Sequence, residues 1–230
     1  MAGLCWMPVV LTFFLSAGSS VAAVDQNRLA TIVNGILRQY GTQGMFSLAV
    51  TVPDNLNQNI NQVLQQILQS DPADNVKNKV NNGEVYVGTR VVAAKVLKHL
   101  TGGADHAESR VVDNLNNLVN GRNNNDLMLF YVYASPCVEK CSSDTHRLSI
   151  LERIKPINQW PNRAVVFSKI FRPNTGPGNT DEQRGEALQR LGSSVGLTNI
   201  FRCDGSRQLQ CTSCYNERER NNVANYCISG

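Results

Sequence analysis

The chain has 230 residues, 42% of them hydrophobic and 17% charged, with a formal net charge of +4 and a pI of about 8.7. This is globular composition, long enough for one well-packed domain, and it excludes a chain disordered throughout. The positive charge forms no run of the kind that marks a basic nucleic-acid-binding arm, although it permits a polyanionic substrate.

In chain order, residues 1–23 read as a secretory signal. They hold no charged side chain, positions 9–15 are strongly apolar, and Val21-Ala22-Ala23 offers a small-residue cleavage site. The segment is too short for a comfortable membrane span, and no later one approaches that length, so the mature protein is expected to be soluble and extracellular. Residues 26–40 carry Leu29, Ile32, Val33, Ile36 and Leu37 at helical spacing, with Gly41 and Gly44 beyond. Residues 45–52 read as a buried strand closed by Pro53. Residues 55–70 are rich in Asn and Gln, yet Ile60, Val63, Leu64, Ile67 and Leu68 mark one helix face. Residues 84–98 open as a β-branched run, and Gly102-Gly103 then break the chain before His106.

The spacing of Ala107, Val111, Leu115 and Leu118 predicts a helix over 106–119, with His106 and Glu108 in its first turn and pointing in different directions. Residues 127–133 form the strongest strand pattern in the chain. Pro136 suits a helix start, which would set Cys137 and Cys141 on one helix face. Residues 163–171 read as a strand, 181–191 as a helix with an acidic start, and 199–202 as a short last strand. Strands alternating with helices predict an α/β architecture, a sheet covered by helices on its faces.

The chemistry concentrates in His106-Ala107-Glu108 and, one strand later, Pro136-Cys137 with Cys141. An imidazole and two thiolates suit three corners of a tetrahedral zinc and leave the fourth for water. Glu108, free of the metal, would then shuttle protons. Each piece alone is commonplace: His-x-Glu is usually a solvated helix start, and a secreted cysteine is usually in a disulfide. Their order and strand context make the set specific. His99 and His146 are alternative ligands on residue type alone, but their settings read as ordinary surface positions.

Six cysteines remain beyond residue 23, and Cys203, Cys211, Cys214 and Cys227 crowd the end of the chain. They allow two disulfides in any of three pairings, a second zinc site or a redox Cys-x-x-Cys; export favours disulfides. The sequence therefore divides into 1–23, a signal peptide; 24–202, the zinc-dependent domain; and 203–230, a cysteine-rich tail expected to staple the last helix and strand to the core.

On these motifs, residues 26–202 resemble the cytidine deaminase superfamily, most of all the secreted novel AID/APOBEC-like deaminases. The resemblance implies a three-layer cytidine-deaminase-like fold with a mixed sheet of about five strands. It implies His106, Cys137 and Cys141 as zinc ligands, Glu108 as the proton shuttle, and hydrolytic attack at C4 of cytosine with loss of ammonia. The substrate would be single-stranded DNA or RNA, or a free nucleoside, with a defensive role suggested by family and location. Two features depart from the familiar pattern. Three residues separate the cysteines instead of two, and Ala134 stands where the AID/APOBEC form has tryptophan. Two competing classes are a catalytically inactive secreted zinc domain that binds nucleic acid or a protein, and a disulfide-rich binding protein with no metal.

Overall fold

The computed structural model describes residues 24–54, 58–173, 178–205, 208–219 and 222–229. The expected signal segment 1–23 lies outside them, as do positions 55–57 of the Asn/Gln-rich stretch. In order, the elements are α1 (Gln26–Tyr40), β1 (Phe46–Pro53), α2 (Ile60–Ser70), α3 (Ala73–Asn81), β2 (Tyr86–Val87), β3 (Val91–Lys95), β4 (Leu97–Lys98), β5 (Ala104–Asp105), α4 (Ala107–Val112), α5 (Asn116–Asn120), β6 (Asp126–Ala134), β7 (Arg163–Lys169), α6 (Asp181–Val195), β8 (Ile200–Asp204) and β9 (Gln210–Ser213). Short 3-10 turns punctuate the later part.

Seven strands form one sheet in the order β2-β3-β1-β6-β7-β8-β9, and β4 pairs with β5 in a separate ribbon. Strands β6, β7 and β8 run parallel, while the remaining neighbours in the sheet are antiparallel. Successive residues of one strand face opposite sides of a sheet. On β6, Met128, Phe130 and Val132 enter one apolar cluster, and Leu127, Leu129 and Tyr131 enter the other. Because both faces are buried, the strand reads as an unbroken apolar run instead of an alternation. The first face is covered by residues of α4, α5, α6 and the segment 137–160, the second by α1, α2 and α3. That is the three-layer arrangement expected.

The sheet is two strands wider than the five expected. Strand β2 is a two-residue edge, and β9 comes from the cysteine-rich segment. Cys203 and Cys211 stand opposite each other across β8 and β9 and form a disulfide, and Cys214 pairs with Cys227. The cysteine-rich residues thus extend the sheet.

Helix α1 matches the apolar spacing and is capped by the Asp25 carboxylate, which accepts from the Arg28 amide. Helix α6 starts at a capping box between Thr180 and Gln183 and runs one turn past the predicted end, to Val195. Helix α3 has no counterpart in the apolar pattern, since only Val76 and Val80 are buried on it. Asp71, wholly buried between α2 and α3, accepts from the Tyr86 hydroxyl and from the amides of Thr89 and Arg90, which ties those helices to the β2–β3 hairpin.

Candidate metal centre

Two segments build the site. The first is the β4–β5 ribbon, turned by Gly102 and Gly103 at φ of 92° and 82°, a backbone that side chains with a Cβ rarely adopt. It delivers the chain directly into His106. Here the helix predicted over 106–119 is two short ones, and His106 is the cap residue with extended φ and ψ of −73° and 145°. An extended cap turns its side chain back across the first turn. As a result His106 and Glu108 converge, with Nδ1 and Oε1 3.8 Å apart, in place of the divergence expected. Arg110 fixes α4 to its surroundings by donating to the carbonyls of Lys95 and Gly83.

The second segment follows β6. Pro136 does not start a helix; residues 138–142 are turns. The reason is local: the Cys141 amide donates to the Cys137 sulfur at 3.3 Å, so the thiol takes the donor that a helix would give to the carbonyl. The Ser142 amide and hydroxyl claim that Cys137 carbonyl instead. The thiols still meet, through turn geometry and not through helical spacing.

His106, Cys137 and Cys141 place one ligand atom each within 4.8 Å of one another, a group that could hold a metal ion. Nδ1 of His106 lies 3.1 Å from the Cys141 sulfur and 3.6 Å from that of Cys137. Zinc bonds of about 2.3 Å to sulfur and 2.05 Å to nitrogen at the tetrahedral angle would separate such atoms by about 3.6 Å. One contact has that length, and the other is about 0.5 Å shorter. Both cysteines are free and buried. Donor chemistry and spacing therefore fit zinc.

Electrostatics agree with the geometry. Hydrogen bonding to Cys137 and to Glu108 holds His106 up at about 9, against burial, which opposes it. Cys137 is pushed down to about 5 by the Cys141 thiol foremost, with His106 and the Cys141 amide adding to it, and together they outweigh burial. Cys141 moves up, as donor to Cys137, as a buried group and as a neighbour of the Glu108 charge. Nδ1 is nearer to Cys141, while the Cys141 amide points at the Cys137 sulfur.

Beside Glu108 lies a cavity of about 10 Å³, the room of one water, lined by Met45, Phe46, Tyr133, Ser135 and Phe171 among others. Met45 and Phe46 come from the approach and start of β1, and the sequence held no chemical signal for them. Phe171 is fastened by its amide to the Ser135 hydroxyl at 3.0 Å. The other histidines stay apart from the group. His99 pairs with Asp105 at 3.1 Å, and Nδ1 of His146 accepts from the Leu148 amide.

A family model described as Secreted Novel AID/APOBEC-like Deaminase 1 matches residues 26–230. The chain belongs to this family. The match opens at the first residue of α1 and includes β9 and both disulfides, so the family's extent takes in the cysteine-rich segment along with the metal centre. Comparisons with curated proteins and with solved structures returned no match. Among the described residues, no helix is long and apolar enough to cross a membrane.

Proposed function

We propose that the protein is a secreted zinc-dependent deaminase that converts cytosine to uracil in single-stranded DNA or RNA, or in a free nucleoside, in a defensive role. The observation that carries this reading is the meeting of three metal-binding donors with a carboxylate that is not one of them. A structural zinc site is usually closed by four protein ligands, whereas three ligands beside a free acid suit hydrolysis. His106, Cys137 and Cys141 would hold the ion, which when bound supplies Lewis-acid activation of water.

Glu108 does the proton work. Its carboxylate lies against His106 and faces the one-water cavity. From there it takes a proton from the attacking water, passes it to the ring, and helps ammonia leave from C4. His106 is held to the thiols through Nδ1, which leaves its ring orientation set before substrate arrives. The lining by Phe46, Tyr133 and Phe171 keeps bulk water from the carboxylate. The family description and the sequence of residues 1–23 support secretion.

The narrowness of the cavity favours a second reading, a zinc-containing domain without catalysis that binds nucleic acid or a protein partner. A pyrimidine does not enter about 10 Å³ unless lining side chains move. One experiment separates the two. Zinc-loaded mature protein is offered single-stranded DNA, single-stranded RNA, cytidine and adenosine, and deaminated product is sought by mass spectrometry. Product with a cytosine substrate supports the enzyme. Stoichiometric zinc with no product from any substrate supports the binding domain.

A further inference from the structure

The halves of the metal centre lie on segments remote in sequence, so something must set the distance between them. Arg153 is placed to do so. Its Nε and Nη2 donate to the Ser149 carbonyl at 2.9 and 2.7 Å. Its Nη2 also donates to the Ser109 hydroxyl at 2.8 Å, and Nη1 donates to the Ser109 carbonyl at 3.2 Å and to the Asp113 carboxylate. All five N–H groups of the guanidinium are thereby used. Ser109, buried on α4, is the residue after Glu108, and it lies 44 positions from Arg153. Ser149 precedes Ile150, whose amide donates to the Cys141 carbonyl at 2.9 Å. One side chain therefore reaches to within a residue of Glu108 on one side and to within one hydrogen bond of Cys141 on the other.

Arg110 ties α4 to the end of β3, and Arg190 ties α6 to the Ser142 carbonyl, so each holds one half singly. Arg147 also crosses between the halves, donating to the Asp105 carboxylate beside His106 at 3.1 Å, but through a single bond from a side chain 70% exposed. Arg153 crosses the same gap with five bonds. We propose that Arg153 is a positioning residue that sets the separation of the His106–Glu108 and Cys137–Cys141 halves and thereby tunes metal affinity; this rests on the metal reading above. Outer partners that orient metal ligands are typically worth 10–100-fold in affinity. Lysine does not replace the fork, since an ammonium is a single point of charge with three donors.

The test uses the mature chain with both disulfides intact, stripped of metal, as wild type, Arg153→Lys, Arg153→Ala and Ser109→Ala. Zinc affinity is measured by competition with a chelator, and cobalt(II) reports ligand geometry through its visible spectrum. The expected result is zinc binding weaker by about 10–100-fold in folded Arg153→Lys, with shifted cobalt bands. Ser109→Ala, which removes one of the five bonds, should show a smaller loss, and free guanidinium should restore part of the affinity of Arg153→Ala. If Arg153→Ala does not fold, the lysine and serine variants decide the matter. Wild-type affinity and spectrum in the folded variants would overturn the brace alone. A wild-type chain that takes up neither metal would overturn the metal reading and the brace with it.

Discussion

Replacing Glu108 by glutamine separates chemistry from architecture at the centre of the site. The two side chains have the same length and branching, and the buried position keeps its packing. Glutamine cannot accept and return a proton, so the substitution removes general acid–base catalysis, together with the negative charge beside His106. That contribution is typically 10²–10⁴ in rate, or about 2.7–5.4 kcal/mol of barrier at 1.36 kcal/mol per tenfold. Glu108 lies outside the group of three donors, and its Oε1 is 3.8 Å from His106 Nδ1. Zinc content should therefore stay near one per chain. The assay pairs elemental analysis with the rate of uracil formation, on the same preparation of Glu108→Gln and wild type. A variant within tenfold of wild-type rate would refute the assignment of the proton carrier. A variant that loses its zinc would refute the separation of shuttle from ligands.

Three further outcomes follow from the same geometry. Under denaturing conditions without reductant, alkylation of a chain beginning at residue 24 should add two groups, at Cys137 and Cys141; native zinc-loaded protein should resist, and a chelator should restore labelling, as read by intact mass. Replacing Cys214 and Cys227 together by serine should cost about 3 kcal/mol in urea unfolding, the loop entropy for a separation of 13 residues, and peptide mapping should find the 203–211 pair unchanged. Asp71→Ala should cost about 1–3 kcal/mol, because it removes a charged acceptor from the Thr89 and Arg90 amides at the edge of solvent, whereas Tyr86→Phe should cost about 1 kcal/mol; chemical denaturation of both variants measures the difference.

Much of the site was legible because its chemistry depends on residue type. A histidine and two thiols name a donor set, and a carboxylate two residues from the histidine a separate proton carrier, whatever backbone carries them. The backbone itself was less legible. Cys137 and Cys141 were expected on a helix, since proline followed by i, i+4 spacing reads that way. A sulfur accepting the Cys141 amide is a local competition that periodicity does not register. The turn at 113–115 likewise breaks a helix whose apolar spacing runs on to Leu118.

Strands alternating with helices were enough to give a sheet covered on both faces, and residue type alone named the His106, Cys137 and Cys141 group that could hold a metal ion. Only the tertiary structure decided which cysteines pair, how wide the sheet becomes, and what lies beside Glu108. Met45, Phe171 and Arg153 reach the site from three separate parts of the chain, and each has an unremarkable sequence neighbourhood. Hydrophobic periodicity reports which side of an element is buried, a property of neighbours along the chain. Which remote groups share that buried space is set by strand order and crossover path, and those exist only once the sheet has formed.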